Sequence, residues 1–486
     1  MRLGNEQASD ARRRPCDRGR GARWGWVSFA LALVALVALT AARPVIVPRT
    51  REKLLSTLSL GPHAGICERC HTMHAAATTP QPFLLLRPDD NALCDDCHET
   101  NLTPAGGGSY GGSLLYLGSA HGSSHNDIWP GPVPPARSEA DASGKCVNCH
   151  DPHGWTDFAG LIPHLAVARE ENLCLNCHDG SPATDIRTDL LKGSAHPTTT
   201  FSGRHSGPDE TQPSDFGASP SSRRHAECED CHNPHVARGD GVAPPPAPEA
   251  SKRLLGVSRV LVLNGVTGVP PAYTFVPGSD TLTAPVAEYQ LCFKCHSSWT
   301  TQPGGQSDLA LLLNPNNPSY HPVEAAGVNP AIPMSAFEPG WSASSLVGCS
   351  DCHHSDSGTA RGPHGSSFQY LLSRPFDPRP NRRAVTPDEA CFACHSYAVY
   401  ADNTSNNTVR AFSRFNEPGA DKGHAGHAAE QVPCGACHTT HGSATQPHLI
   451  VTGRNPGITG ITWRAGGATC APSCHGSERY TVNYAR

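Results

Sequence analysis

The sequence Cys-x-x-Cys-His occurs nine times in this chain of 486 residues, and a longer Cys-x-x-x-Cys-His occurs once near the C-terminus. Two cysteines at this spacing lie on one side of a helical turn, and the histidine follows directly. The pattern is typical of covalent attachment of c-type haem, in which the cysteines form thioethers and the histidine is the proximal iron ligand. We therefore predict ten haems c, the tenth at the Cys-x-x-x-Cys-His site.

The predicted attachment cysteines account for twenty of the 21 cysteines. They are Cys67 and Cys70, Cys94 and Cys97, Cys146 and Cys149, Cys174 and Cys177, Cys228 and Cys231, Cys292 and Cys295, Cys349 and Cys352, Cys391 and Cys394, Cys434 and Cys437, and Cys470 and Cys474. The predicted proximal ligands are His71, His98, His150, His178, His232, His296, His353, His395, His438 and His475. The remaining cysteine, Cys16, lies in the N-terminal segment and has no predicted haem role.

Zinc sites and disulfides are the two alternatives for so many cysteines. Zinc sites also use Cys-x-x-Cys pairs, and an even cysteine number in an exported chain is typical of disulfides. Neither chemistry requires a histidine directly after the second cysteine. All ten pairs have one, although only 27 residues are histidine, so haem attachment is the favoured interpretation.

The motifs occur in five pairs, which we call units one to five. Their first cysteines are Cys67, Cys146, Cys228, Cys349 and Cys434, at steps of 79, 82, 121 and 85 residues. Such a period indicates an internal repeat, and the long step indicates an insertion in the third unit. We predict haem-pair segments at 43–130, 131–222, 223–330 (insertion 236–288), 331–429 and 430–486.

Composition predicts little regular structure. Hydrophobic residues make up 37% and aromatic residues 6% of the chain, with 47 Gly and 45 Pro, a profile typical of loops or disorder. Haem supplies the missing apolar surface, so we expect mostly coil with short α-helices wrapped around a haem chain. Leu-rich stretches such as Phe83–Leu86 and Tyr370–Leu372 are expected to pack on haem faces.

A minor β-hairpin is predicted within residues 251–285, inside the insertion. Arg259–Leu263 reads as the first strand, Asn264-Gly265 as a two-residue turn, and Val266-Thr267 as the start of the second strand. We interpret the insertion as a surface decoration. The alternative is a contact element for a partner or a neighbouring subunit.

Residues 1–42 read as a targeting segment. Six arginines between Arg12 and Arg23 precede an apolar stretch from Trp24 to Ala42, which is the order of a signal peptide. The stretch is also long enough to span a bilayer if it is not cleaved. Both interpretations, of which cleavage is favoured, export the motif-bearing part of the chain.

Low-spin haem needs a second axial ligand, and the other histidines recur at repeat positions. One class follows the first motif of a unit: His74, His153, His235, His364 and His441. A second class follows the second motif: His121, His196, His321 and His424. A third class precedes a first motif: His63, His125, His225 (or His205) and His427. His448 is a further candidate. Because methionine is scarce, we predict mostly bis-histidine haems, whose potentials are lower than those of Met/His haems.

Two sites are irregular. The approach to Cys349 offers only His321, with Met334 as a remote alternative. No histidine follows His475, so we expect its distal ligand to come from His441 or His448, from another chain, or to be missing. A ligand donated by the next subunit would create a head-to-tail contact of the kind that builds filaments.

The paired motifs, together with runs such as CVNCHDPHG and LCLNCH, resemble those of the doubled CXXCH-motif multihaem c-type cytochromes. The resemblance covers residues 61 to 476. It implies an electron carrier of the periplasm or cell surface in respiring bacteria, and some such proteins form haem filaments. The Cys470-x-x-x-Cys474 spacing and the third-unit insertion depart from the pattern.

We expect an electron carrier and not an enzyme. The alternative is a multihaem reductase of nitrogen or sulfur oxyanions, with the C-terminal haem as its open catalytic site. Expected partners are other cytochromes, a quinol-oxidising membrane complex and further copies of the chain. The net charge of −5 gives no sign of nucleic-acid binding, and membrane contact is expected only through the N-terminal segment, which would anchor the protein to the inner membrane if retained.

Overall fold

The computed structural model describes residues 63, 67–72, 84–86, 91–98, 113–124, 146–157, 160–198, 210–217, 225–280, 286–358, 360–415 and 423–481. These ranges contain all twenty motif cysteines and the ten histidines that follow them. Residues 58–486 form one compact unit, so the five motif pairs belong to one body. The predicted targeting segment 1–42, His74 and His125 lie outside the described residues.

Most of the described chain is coil and turn, joined by short helices. The α-helices are α1 (Asn91–His98), α2 (Ser113–Leu117), α3 (Glu170–Cys174), α4 (Arg187–Leu190), α5 (Glu288–His296), α6 (Leu309–Leu313), α7 (Tyr397–Tyr400), α8 (Asn407–Arg410) and α9 (Gly423–Ala429). Within the described ranges, none combines the length and hydropathy that crossing a bilayer requires.

Single 3-10 turns are as common as α-helices and fall at repeat positions. They are Cys67–Arg69, Cys146–Asn148, Pro163–Leu165, Cys228–Asp230, Lys252–Leu254, Met334–Ala336, Cys349–Asp351, Gln369–Leu371, Ala390–Ala393, Ala411–Ser413, Cys434–Ala436 and Pro447–Leu449. The first motif of every unit therefore begins with a 3-10 turn.

The strands form small antiparallel sheets. They are β1 (Thr156–Asp157), β2 (Gly160–Leu161), β3 (Ser194–Ala195), β4 (Arg259–Leu263), β5 (Ala272–Val276), β6 (Ser319–Tyr320), β7 (Gly365–Ser366), β8 (Gly442–Ser443), β9 (Ile458–Arg464), β10 (Gly467–Pro472) and β11 (Glu478–Thr481). β1 pairs with β2, β4 with β5, β3 with β7 and β6 with β8, and β10 lies between β9 and β11. The three-stranded sheet around the tenth motif was not predicted.

The predicted hairpin is present, but the predicted two-residue turn at Asn264-Gly265 was wrong. β4 begins and ends where expected, whereas its partner is β5, with Leu263 opposite Ala272. Asn264 and Gly265 do not close a two-residue turn because they bind elsewhere. The Asn264 amide donates to Glu324 at 2.7 Å, and the Gly265 carbonyl accepts from the side chain of Asn316 at 2.8 Å.

The insertion is also more than a surface decoration. Val260 of β4 is fully buried in a core cluster with Phe293 of α5, Ala310 and Leu313 of α6, and Val323. Burying side chains of this size stabilises the fold by about 1.5–3 kcal/mol each. Since α5 carries the sixth motif, the hairpin forms part of the packing that positions this motif.

Candidate haem-binding sites

The Cys-x-x-Cys-His motifs form the local turn that attachment requires. In unit two, the histidine amide of His150 donates to the carbonyl of Cys146 at 3.0 Å, so the cysteines and the histidine follow one helical turn. The tenth motif differs, because Cys470 lies on β10 and Cys474 follows in the loop before β11. All twenty motif cysteines are free thiols.

Four of the five first-motif histidines are each oriented by a hydrogen bond to a backbone carbonyl. The Nδ1–H groups of His150, His353 and His438 donate to the carbonyls of His164, Tyr370 and His448 at 2.9, 2.7 and 2.9 Å. These carbonyls belong to 3-10 turns whose central residues have φ of 56°, 62° and 59°, a conformation that is costly for non-glycine residues. His232 donates likewise to Arg253 at 3.1 Å.

These turns change the interpretation of the Leu-rich stretches. Tyr370 and His448 lie in stretches that sequence reasoning treated as packing segments or as candidate ligands, whereas their carbonyls fix the imidazoles. Such a hydrogen bond leaves Nε2 as the ligating nitrogen and sets the orientation of the ring. The recurring Pro-His-Leu at Pro163–Leu165 and Pro447–Leu449 was an available signal that the sequence analysis did not use.

Nine of the ten proximal histidines face a second imidazole at nearly one distance. The ring centroids are 5.9 to 6.3 Å apart in every case. The pairs are His71–His153, His98–His63, His150–His235, His178–His121, His232–His364, His296–His196, His353–His441, His438–His424 and His475–His427.

This separation fits two imidazoles that bind one metal ion from opposite sides. Two metal–nitrogen bonds of roughly 2 Å, plus roughly 1 Å from each nitrogen to its ring centre, give a separation of about 6 Å. The interplanar angle meanwhile varies from 12° in His353–His441 to 86° in His178–His121. A constant separation with a variable angle is expected when both rings point along one axis and differ only in rotation about it.

The tenth proximal histidine, His395, interacts with His321. Burial, and then the nearby charges of His321 and His438, lower the pKa of His395 to about 4. The Nδ1 of His321 hydrogen-bonds to the carbonyl of Thr440, which leaves its Nε2 for the opposite side. Every proximal histidine thus has one imidazole neighbour among the predicted distal candidates.

Burial favours the neutral form of several of these imidazoles. It is the main cause that lowers the pKa of His150, His364 and His441 to about 4 and that of His424 to about 3. A neutral imidazole has the nitrogen lone pair that a metal ligand needs. The paired rings are therefore suited to bind iron at neutral pH.

The pairs cross from one unit to the next. The histidines that follow a first motif, which we call the motif-adjacent histidines (His153, His235, His364 and His441), each face the first proximal histidine of the preceding unit. The linker histidines are those that follow a second motif: His121, His196 and His321. His121 and His196 face the second proximal histidine of the following unit, and His321 interacts electrostatically with His395 at the equivalent position. The second, third and fourth units therefore complete sites in both of their neighbours.

Hydrogen bonds connect the two kinds of distal histidine. The Nδ1–H groups of His121 and His196 donate to the carbonyls of Pro234 and Pro363, at 3.2 and 2.6 Å. Those carbonyls directly precede the motif-adjacent histidines His235 and His364. His63 donates to Pro152 at 3.2 Å in the same way, so it acts as the linker histidine of the first unit.

Pairing between two-residue strands positions the backbone of these histidines. β3 pairs with β7 and β6 with β8, and the amide of His321 donates to the carbonyl of His441 at 2.8 Å. Gly442 directly follows His441, and a Cβ atom at this position would overlap the carbonyl oxygen of Leu312. Glycine is required here because the backbones approach so closely.

The fifth unit obtains both distal histidines from α9. His424 and His427 lie one turn apart on this helix and face His438 and His475, with centroids 6.1 and 6.2 Å apart. Phe415 packs against both, with ring centroids 5.0 and 5.8 Å away. Like a linker histidine, His427 donates through Nδ1 to the carbonyl that directly precedes another distal histidine, here the carbonyl of Gly423 before His424, at 2.6 Å.

This arrangement corrects the expectation for the last site. His475 was expected to depend on His441, on His448, on another chain, or to lack a distal neighbour. His441 instead faces His353, and His448 contributes its carbonyl to His438 while its ring lies 5.5 Å from Trp463. The sequence analysis grouped His427 with the histidines that precede a first motif. It did not consider that α9 places His424 and His427 one turn apart, so that His427 can face a motif histidine 48 residues later.

The remaining candidates lie elsewhere. The Nε2 of His225 is 3.2 Å from Glu210 Oε1, and His225 belongs to none of the ten pairs. Met334 is 74% exposed and is not a candidate ligand for the site that contains His321. His354 donates locally to the carbonyl of Ser355 at 2.8 Å.

One connected cavity of about 4080 Å³ is lined by the proximal histidines of the second to tenth motifs. Pockets for a single small ligand are typically about 300–1,000 Å³, so this space suits several cofactors in a row. Its walls carry both the thiols for attachment and the paired imidazoles. The residues therefore fit covalently bound haem at each motif that the cavity reaches.

Two segments of the chain match a known family. Residues 61–103 and 140–183 each match the doubled CXXCH motif family, and they contain the motif pairs of units one and two. CXXCH motifs of this kind indicate covalently bound haem c, and the match is consistent with a multihaem c-type cytochrome, a group that generally carries electrons. No curated protein and no solved structure matches the chain.

Proposed function

We propose that the protein is a decahaem c-type cytochrome that carries electrons along ten bis-histidine haems. The observation that carries this proposal is the uniform separation of nine proximal histidines from a second imidazole, with His321 beside His395 as the tenth case. When bound, haem supplies reversible one-electron transfer through its iron. The protein would supply attachment and two axial imidazoles per site.

The attachment sites follow one another in space in the order of the sequence. Within units, Cys149 interacts electrostatically with Cys177, Cys231 with Cys292, Cys352 with Cys394, and Cys437 with Cys470 and Cys474. Cys70 does so with Cys94 and Cys97 in the first unit. These thiols stand for the thioether sulfurs of the attached haems, so neighbouring sulfurs indicate neighbouring haem edges.

Contacts between units close the remaining gaps. Cys292 and Cys349 hydrogen-bond, as do Cys391 and Cys434. The amide of Cys146 donates to the Asn91 side chain of α1 at 2.9 Å, which links units one and two. α3, which ends at Cys174, packs against Cys228–Asp230. We infer an unbranched path in which electrons pass from each motif to the next.

The tenth site supports carriage of electrons over catalysis. A reductase needs an open position on one iron with acid or cationic groups beside it. His427 occupies the side opposite His475, and each of the other nine proximal histidines, all within the described residues, also has an imidazole neighbour. The same observation removes the reason to require a ligand from a second chain, so filament formation has no support at this site.

Location and partners follow from the same proposal. Because c-type haem is attached outside the bacterial cytoplasm, we propose that the protein acts in the periplasm or at the cell surface. Its partners would be redox proteins, such as other cytochromes or a quinol-oxidising membrane complex. The basic and apolar order of residues 12–42 supports export.

The proposal predicts ten-electron storage without oxyanion turnover. An anaerobic reductive titration of the purified protein is expected to consume ten electrons per chain, one per motif. The reduced protein is expected to be reoxidised rapidly by a soluble oxidised cytochrome but not by nitrite or sulfite. Sustained reduction of either oxyanion in the presence of an electron donor would contradict the proposal and support the reductase alternative.

A further inference from the structure

Two motif-adjacent histidines have a carboxylate beside Nδ1. His153 has that of Asp151, two residues away in sequence, at 3.4 Å, whereas His235 has one from a distant segment. The Nδ1 of His235, which faces His150, lies 3.2 Å from Asp280 Oδ2. At the equivalent position of the next unit, the Nδ1 atom of His364 is buried and has no hydrogen-bond partner. The two histidines occupy the same place in the repeat and differ in what lies behind the ring.

Asp280 comes from the third-unit insertion and is held in place. It follows β5, and its Oδ1 accepts from the Asn233 side chain at 2.7 Å. The Oδ1 of Asn233 in turn accepts from the amide of His235 at 3.0 Å. Asn233 thus fixes the carboxylate and the histidine backbone together, and the side chain of Asp280 is only 22% exposed.

Both oxygens of the carboxylate are engaged. Oδ2 of Asp280 lies beside Nδ1 of His235, and Oδ1 accepts from Asn233. The carboxylate is thereby held directly behind the ring that faces His150.

A carboxylate in this position changes what the imidazole does as a ligand. It draws on the Nδ1 proton and makes the ring a stronger electron donor. More electron donation and a nearby negative charge both favour the oxidised, more positive iron, which lowers the reduction potential. The charge of Asp189 also acts on His364, but the Nδ1 atom of His364 has no hydrogen-bond partner among the described residues.

We propose that the third-unit insertion sets the reduction potential of the haem held between His150 and His235, through the carboxylate of Asp280. This inference rests on the proposed function, because it needs both histidines to be axial ligands. It gives the insertion a role that neither surface decoration nor partner contact describes.

The test is a spectropotentiometric titration of the intact protein with Asp280→Asn. One of the ten haems is expected to titrate at a higher potential than in the wild type, with the other nine unchanged. The matched control is Asp377→Asn, which removes the same charge from a surface pair with Arg379 and is expected to leave the titration unchanged. A titration of Asp280→Asn that superimposes on the wild type would overturn the inference.

A His235→Met background separates the inference from the proposed function. This variant alone is expected to raise the potential of one haem, because methionine ligation gives higher potentials than histidine. Adding Asp280→Asn is then expected to shift this haem less than it does in the wild type, since no ring lies between carboxylate and iron. If His235→Met leaves every haem unchanged, His235 is not a ligand and the proposed function fails; if it shifts one haem but Asp280→Asn does not, only the inference fails.

Discussion

His364→Ala is expected to convert one haem of the third unit, and none of its own fourth unit, into a five-coordinate haem. His364 faces His232 across 6.1 Å, and no other imidazole is positioned there among the described residues. Removing it leaves an open side, so the haem becomes high-spin and binds carbon monoxide or cyanide. Absorption and EPR spectra of the oxidised and reduced protein measure this directly, with one of ten haems affected.

The affected haem is assigned by removing attachment sites. In a Cys228→Ser, Cys231→Ser background the new high-spin signal is expected to vanish, and in a Cys349→Ser, Cys352→Ser background it is expected to persist. His225→Ala is the control, since this buried histidine pairs with Glu210, and it is expected to leave all haems low-spin. A signal that follows the fourth-unit cysteines instead would show that ligands do not cross between units.

Gly442→Ala is expected to destabilise the contact between the third and fifth units. Its Cβ would overlap the Leu312 carbonyl, so the β6–β8 pairing must open and His441 must move away from His353. Overpacking of this kind costs about 1–3 kcal/mol. Denaturant unfolding monitored by Soret absorption measures the loss, and a partial high-spin signal from the haem of His353 is expected with it.

Gly193→Ala is the matched control for this steric effect. Gly193 precedes β3, which corresponds to β6 in the preceding strand pair, β3–β7. Nothing lies within 4 Å of the position of its Cβ. Its unfolding free energy is expected to remain within about 0.5 kcal/mol of the wild type, as for surface substitutions generally. Equal stabilities for both variants would argue against the close backbone approach at Gly442.

The attachment sites were predictable from sequence because their chemistry is local. Two cysteines and a histidine within five residues form one turn whatever the rest of the chain does. The distal histidines were predictable as a set from their recurrence, but not as pairs. His153 lies next to a motif of its own unit yet faces His71, and sequence distance gives no sign of this exchange.

The features that the sequence analysis missed also depend on contacts between distant segments. Asn264-Gly265 is a strong turn signal, but side-chain hydrogen bonds from Asn264 to Glu324 and from Asn316 to Gly265 outweigh it. The role of Asp280 likewise depends on a carboxylate 45 positions beyond the histidine it contacts. Contacts between distant segments decide these features, and a single sequence does not contain them in readable form.

The measurement that most directly tests the paired-histidine account is a spin-state count on the intact monomer. Haem is first counted as the pyridine haemochrome, and the oxidised and reduced protein is then examined by EPR and absorption with and without cyanide or carbon monoxide. The account predicts ten low-spin haems, including the one at Cys470 and Cys474, with none binding the added ligand. A high-spin, ligand-binding haem in the intact monomer would contradict it, and would return the tenth site to consideration as a catalytic centre.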